Sequence, residues 1–560
     1  MAYSGFPYVN KLSVRKAKNP DPWSGFFTYL RESLSKDDLN KELEMVQGSN
    51  TDGWIRAVRP EITPPSLKDN TADVDRIIKA LERELESESV LMDFSLIQEI
   101  PSFLGRYGYD MQAVLYKDYR DWRVMDILPP ETEGALYGLA MDLGSATIVV
   151  RLVDLNNRRK VDEISFINPQ MEIGPDILTR IHFANEEGGL EKCRSLLLTG
   201  INENIKILSE KRDIDLRKIV GMSVAGNTTM THFLLGLDPY GLCREPYIPV
   251  INKPALNEAK KLGLGIHPKA PVLIFPNVGS YFGGDLIAGI LAQEIADQED
   301  VSILIDVGTN AEVALGNREW LMACAGAAGP ALEGGVASMG MMAGPGVIDR
   351  IVIEPQSDTF RIRTIGNNPP LGICGSGLID LVAQLFLAGM IDMRGRFVEG
   401  RCGKRLSSID GMNHLVVVAS EDSADGNDLT ISQSDIDALL RSKAAMYTIL
   451  TTITQMIHLS MKDIRHFYIS GTFGSFIDPK SAITIGMLPD LPLETYQPVG
   501  NTSLSGAELA LLSEEARDEI YRIRDRVTYI ELNVNQDFMN LFSAARFIPH
   551  TDKSLFPSVK

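Results

Sequence analysis

LYGLAMDLGSATIVVRLVDL, residues 136–155, holds two apolar runs joined by a glycine turn. Residues 136–141 and 148–155 read as strands, and Asp142-Leu-Gly144-Ser145 as the tight turn of a β-hairpin. The same design returns in LIDVGTNAEVALG, residues 304–316. There an apolar strand over 301–305 runs into Asp306-Val-Gly308-Thr309, followed by a second strand over 311–315. This is the one internal repeat legible in the chain. It predicts an α/β protein with two related lobes, each opening with strand, acidic glycine turn and strand.

A carboxylate at a strand end can hold magnesium directly or through water. A neighbouring glycine lets backbone approach a phosphate with no Cβ in the way. Ser145 and Thr147 add hydroxyl donors to the first turn, and Thr309 and Asn310 add polar groups to the second. One such turn is common in hairpins. Two of them facing each other across a cleft would clamp the β- and γ-phosphates of a nucleotide and share one magnesium, with Asp142 and Asp306 reaching it through water. Gly471-Thr472-Phe-Gly474 follows a strand at 467–470 and precedes a helix near Lys480. It fits a third wall beside the adenosine and α-phosphate, since that order offers backbone N–H groups to an anion.

Other strings leave two readings open. Gly226-Asn227-Thr228-Thr229 either lines the cleft or caps the helix that follows it. In the run Gly326-Ala-Ala-Gly329-Pro-Ala-Leu-Glu333 the glycines suit close backbone approach. Glu333 either orients an attacking water or is a solvated side chain on a loop. Cys374-Gly375-Ser376-Gly377 reads as a turn and helix start capped by Ser376, with Asp380 one turn in; Gly375 and Ser376 are candidate nucleotide contacts. The seven histidines do not pair at metal-ligand spacing.

The chain has 560 residues, too many for a single core. Residues 1–90 are rich in charge and proline and read as a helical and linker region. Ser35 and Asp38 form a capping box there, Val74, Ile77, Ile78, Leu81 and Leu85 mark a helical face, and the prolines of 59–68 mark a linker. Residues 91–135 read as a small α+β domain: a helix over 94–107, then strands over 111–117 and 122–128. Lobe 1 is assigned to 136–300 and lobe 2 to 301–560. Ser432 and Asp435 cap a long helix reaching about 461.

A net charge of -19 disfavours nucleic acid as a partner. The first residues, MAYSGFPYVNKLSVRK, lack the apolar segment of a secretory signal, and no stretch is apolar enough to span a membrane, so a cytoplasmic location is expected. The five cysteines, Cys193, Cys243, Cys324, Cys374 and Cys402, are scattered and suit reduced thiols.

Beyond the two turns, further stretches occur in order: FINPQMEIGPDILTRI (166–181), VAGNTTMTHFLLGLDP (224–239), FPNVGSYFGGDLIAG (275–289), AAGPALEGG (327–335), ICGSGLIDLV (373–382), ISGTFGSFIDP (469–479) and FIPHTDKSLFPS (547–558). With the two turns they resemble the reductive activators of corrinoid proteins, ATPases of the actin-like (RNase H-like) fold. The resemblance implies two lobes closing on Mg-ATP, a homodimer, and a corrinoid protein as partner. It also implies coupling of ATP binding or hydrolysis to reduction of cobalt(II) to cobalt(I). Carried over by motif, Asp142, Gly144 and Ser145 form the first phosphate loop. Asp306, Gly308, Thr309 and Asn310 form the second, and 471–474 the adenosine loop. Asn227, Thr228, Asp285 and Glu333 line the cleft.

The chain departs from that family in Ser145-Ala146, where the family usually has threonines, in Leu332, where it usually has phenylalanine, and above all in its cysteines. Residues 1–90 contain no cysteine and no four-cysteine run follows, so no intrinsic iron–sulfur cluster is expected. A separate electron donor such as a ferredoxin or reductase is one consequence. A cluster shared across a dimer through Cys324 and Cys374 is a second, and a nucleotide-gated binding or chaperone role without redox work is a third. A small-molecule kinase of the same fold is the alternative enzyme, separated by whether free phosphate or a phosphorylated metabolite is the product.

Overall fold

The computed structural model describes residues 53–559 apart from 88, 131, 133–134, 308–310, 327–336, 355–358, 410, 472–476, 531 and 533–537. The capping box at Ser35 lies outside the described residues. Four short strands, β1 (Ile55–Val58), β2 (Val90–Met92), β3 (Gln112–Asp118) and β4 (Asp121–Leu128), form a first sheet in the order β1-β3-β4-β2. Helix Asp73–Glu84 covers it, burying Ile77 and Leu81 with Val90, Leu115 and Trp122. The small unit therefore starts near residue 53, not at 91. The proline-rich 59–68 stretch connects its first strand to its first helix. The helix expected over 94–107 is two helices, Phe94–Ile97 and Ile100–Tyr107. Pro101 has no N–H to give the Ile97 carbonyl, which breaks the run there.

Lobe 1 contains β5 (Tyr137–Leu143), β6 (Thr147–Asp154), β7 (Arg159–Ile167), β8 (Ile219–Gly226), β9 (Asn257–Glu258) and β10 (Pro271–Ile274), ordered β7-β6-β5-β8-β10-β9. Lobe 2 begins with β11 (Ser302–Val307), β12 (Ala311–Gly316) and β13 (Leu321–Gly326). An insertion follows. It carries two three-stranded sheets, one of β14 (Val347–Glu354), β15 (Thr359–Thr364) and β16 (Gly372–Ile373), the other of β17 (Leu406–Ile409), β18 (Met412–Val418) and β19 (Leu429–Ser432). The chain then returns through β20 (His466–Ser470), β21 (Tyr496–Gly500) and β22 (Val527–Ile530), completing a sheet ordered β21-β20-β11-β12-β13-β22.

The duplication read from the two hairpins is carried through both sheets. In each, the first strand pairs antiparallel with the second, and the second with the third. The first then pairs parallel with the fourth, and the fourth with β10 in lobe 1 and β21 in lobe 2. With the two-residue edge strand β9 set aside, both sheets thus have the order third-second-first-fourth-fifth of the actin-like fold.

Three differences from the sequence reading have physical causes. Helix Gln433–Met456 carries the expected capping box but stops short of 461. His458 takes φ 56°, and the N–H groups of His458 and Leu459 bond back to the Gln455 and Thr454 carbonyls, closing the helix end. Helix Gly375–Leu387 is capped at Cys374 rather than Ser376. Helices Thr502–Leu512 and Glu514–Arg526 lie within the stretch assigned to lobe 2, yet Leu504, Ala507, Leu511 and Ile520 share the core of lobe 1. An apolar helix face packs against whichever sheet it reaches, whatever its place in the chain.

Helix Thr502–Leu512 crosses helix Gly284–Ala292 at glycines. A Cβ on Gly506 would stand 2.1 Å from the Ala288 carbonyl oxygen, and one on Gly289 2.9 Å from Thr502 Oγ1. Backbone therefore meets backbone where the lobes join. Gly506→Ala is expected to lower the thermal midpoint, a loss of about 1–3 kcal/mol from overpacking. An unstrained helical site would instead gain roughly 1 kcal/mol from the same change.

Candidate functional site

Each acidic turn lies at the end of the first strand of its sheet. Asp142 closes β5 and pairs with Val149 across the hairpin, and Asp306 closes β11 and pairs with Glu312. Between them stands Asp285, the second residue of helix Gly284–Ala292. All three are only partly buried, as side chains facing a cleft would be. Burial, the charge of Asp306 and, more weakly, that of Asp142 push the Asp285 carboxyl up to about 7.

The turn after Asp142 is built tightly. A Cβ on Gly144 would fall 2.2 Å from the Thr147 carbonyl oxygen, so only glycine fits. Asn168 Nδ2 donates to the Gly144 carbonyl at 3.0 Å, and the Asn168 N–H donates to that of Ala146. Arg180, wholly buried, donates from NH1 to the Ser145 carbonyl at 2.7 Å and from Nε to that of Gly174 at 2.8 Å. These contacts fix the loop's carbonyls from behind.

The Asp142 carboxylate is held from the far end of the chain. Asn501 Nδ2 donates to Oδ2 and Ser503 Oγ to Oδ1, both at 2.8 Å. Those two hydrogen bonds favour the charged form, while burial, the larger effect, pushes the carboxyl up. On the other side, Ser470 Oγ donates to Asp306 Oδ2 at 3.4 Å and lies 2.7 Å from Thr502 Oγ1. The tripeptide 501–503 therefore touches both acidic turns. Gly471, at φ 85°, abuts Asp306, where a Cβ would come 2.9 Å from Oδ1.

The remaining sequence candidates divide. Asn227 caps helix Thr228–Leu235, accepting from the Met230 N–H at 2.9 Å. It also sits beside Asp285, because a Cβ on Gly283 would meet both Asn227 Cα and Asp285 Oδ1. Thr228 is buried and donates to the Gly279 carbonyl at 3.0 Å, so its hydroxyl ties down the 277–283 loop. Gly326 pairs with Ala311 at the base of the second hairpin and packs on Ile449. Gly375 and Ser376 are buried at the helix start within the insertion, with Ser376 Oγ 3.2 Å from Cys374 Sγ. That engagement is a packing contact within the insertion. Gly308, Thr309, Asn310, Gly329, Glu333, Thr472 and Gly474 lie outside the described residues.

Cys324 is fully buried on β13, and burial pushes its thiol up. Cys374, nearly as buried, has its sulfur against the Ile348 carbonyl. Both thiols are buried within lobe 2. Among the described residues, no three ligand-type side chains converge on one point, and no helix is long and apolar enough to cross a membrane.

Three adjoining segments match descriptions of one family: the RACo linker region over residues 48–134, the RACo middle region over 137–298, and the C-terminal ASKHA domain of RACo over 300–560. The chain belongs to the RACo family. It is 30% identical over 481 residues to the corrinoid activation enzyme RamQ of Eubacterium limosum, covering 84% of this chain and 79% of that protein. A Methanosarcina barkeri reductase of the cobalt(II) methylated amine-specific corrinoid protein is 22% identical, over 73% of this chain and 76% of its own. Among solved structures, a reductive activator for corrinoid, iron-sulfur protein superposes with TM-score 0.85 at 36% identity, covering 92% of this chain and 82% of that one.

Asn501, Ser503, Ser470 and Arg180 were not singled out from sequence. Arg180 lies inside a stretch that resembles the RACo family, and Asn501 begins a helix as a polar cap, but neither pattern names an aspartate partner. The Asp285 carboxyl binds its proton more tightly in the folded protein, near 7, than at its ordinary value of 3.8. The stability this adds is present below about 4 and lost as pH rises through about 7. The nucleotide-free Asp285→Asn protein should therefore gain in thermal midpoint over the unsubstituted protein between pH 5 and pH 8. An equal difference at both pH values would contradict the raised Asp285 carboxyl.

Proposed function

We propose that this chain is an ATPase that binds Mg-ATP between its lobes and couples nucleotide binding or hydrolysis to reduction of cobalt(II) to cobalt(I) in a corrinoid protein. The observation that carries the reading is residues 501–503 linking the two acidic turns: Asn501 and Ser503 hold Asp142, and Thr502 meets Ser470, which donates to Asp306. The RACo membership and the names of the relatives supply the corrinoid partner.

Asp142 and Asp306 are carboxylates at the ends of corresponding strands, and such groups suit a magnesium ion reached through water. Asp142 and Asp306 would hold it through water. When bound, magnesium would neutralise charge on the β- and γ-phosphates. The protein's own part is positioning. Arg180 and Asn168 hold the carbonyls of the 144–147 loop, leaving its N–H groups and the Ser145 and Thr147 hydroxyls for phosphate oxygens. Asn501 and Ser503 fix both oxygens of Asp142. Gly308, Thr309 and Asn310 would supply the matching loop on the second lobe, residues 471–474 the adenosine wall, and Glu333 the orientation of the attacking water.

Reduction of the corrinoid takes one electron, which we assign to a separate donor such as a ferredoxin or reductase. The chain's contribution is then a nucleotide-dependent change in its grip on the corrinoid protein. Such coupling requires the partner to bind the two nucleotide states with different affinity. A homodimer, as implied by the resemblance, completes the assembly.

The decisive measurement is the visible spectrum of a cobalt(II) corrinoid protein mixed with this chain, a low-potential reductant and ATP. The cobalt(I) band should grow only with ATP present, alongside release of free phosphate. Asp306→Asn should cut phosphate release by on the order of 100-fold. A phosphorylated small molecule in place of free phosphate would move the assignment to a kinase.

A further inference from the structure

One helix touches all three bodies of the molecule. At the N-terminus of helix Thr502–Leu512, Asn501 and Ser503 hold Asp142, and Thr502 meets Ser470, the neighbour of Asp306. At its C-terminus the small unit takes hold. Trp54, with no exposed surface, donates from its indole N–H to the Ala510 carbonyl at 2.9 Å. Arg517, on the next helix, stacks its guanidinium 5.3 Å from the Trp54 ring centroid and donates to the Lys117 carbonyl at 2.7 Å. Lys117 Nζ pairs with Glu514 at 2.8 Å. Between the two ends lies the Gly506 crossing with helix Gly284–Ala292, which carries Asp285 at its own start.

We propose that helix Thr502–Leu512 is a lever. Asn501 and Ser503 position Asp142 at one end, and Trp54 makes the small unit, residues 53–128, part of the nucleotide response at the other.

The helix is eleven residues long, about 16 Å at 1.5 Å per residue, and a helix of this length moves as a rigid rod. The close backbone contact at Gly506 allows rotation about the crossing but leaves no room for side chains to absorb a shift. A change in the distance between the acidic turns must therefore displace the N-terminal end, and the Trp54 end with it. The attachment is specific at both ends, resting on directional hydrogen bonds as well as apolar contact. The small unit thus stands where a partner or donor bound to it would sense the cleft, and would bias the cleft in return.

The inference rests on the nucleotide reading, and hydrogen exchange separates the two. Full-length protein is compared without nucleotide, with Mg-ADP, and with magnesium and a non-hydrolysable ATP analogue. Residues 142–147 should be protected by nucleotide. Residues 53–58 and 112–118, remote from the phosphates, should change exchange rate by at least about threefold between states. Trp54→Phe keeps an aromatic ring but removes the indole donor, and Glu514→Gln breaks the pair with Lys117. Both should abolish the remote change while leaving protection at 142–147; the partly exposed Glu514 site serves if the buried substitution fails to fold. Protection at 142–147 with no remote change in the unsubstituted protein overturns the lever alone, as does a remote change that survives in a folded variant. No protection at 142–147 overturns the nucleotide reading and the lever together.

Discussion

A carboxylate taken partly out of water must be given something in return. Asp142 receives two hydrogen bonds from Asn501 and Ser503, more than 350 residues away in the chain. That single arrangement ties the start of lobe 1 to a helix that follows β21 of the lobe 2 sheet. Without such donors, a buried acid takes up a proton, and a protonated acid is a poor partner for a metal-bound nucleotide. The rest of the site follows from the same constraint. Asp306 has Ser470 beside it, and Asp285 accepts from the Leu286 N–H at the start of its own helix.

The duplicated sheets give that crevice its symmetry. In each lobe the acidic turn is the link between the first two strands, and the fourth strand runs parallel beside the first. Ala225 thus pairs with Asp142, as Ser470 pairs with Asp306. The helices that follow the fifth strands, Gly284–Ala292 in one lobe and Thr502–Leu512 in the other, cross at Gly289 and Gly506. Each brings the polar groups of its first turn into the crevice. One geometric operation thereby supplies both halves of the site, while the insertion between β13 and β20 breaks the symmetry on one side.

Membership of the RACo family fits a site made for positioning more than for covalent chemistry. Nothing in the described crevice resembles an activated nucleophile. The cysteines reinforce the point from another direction, since Cys324 and Cys374 serve as small core residues in lobe 2.

The two acidic hairpins were legible in the sequence because they are local. Period-two apolar runs on either side of Asp-x-Gly specify a strand, a turn and a strand without reference to anything distant. Repeating that pattern announced the duplicated fold, and the in-order motifs named the family. Local patterning also located the capping box at Ser432 and the strands at 112–128. It misjudged the small unit, because strand Ile55–Val58 gains its meaning only by pairing with Gln112–Asp118. It misjudged helix Thr502–Leu512 for the same reason, since an apolar face does not say which sheet it will cover. The partners of Asp142, the carbonyls held by Arg180 and the grip of Trp54 on Ala510 are all contacts between residues far apart in sequence. The chain determines which groups exist and what local shape they take. Only packing decides which of them meet, because hydrogen bonds and burial act through space and carry no record of sequence separation.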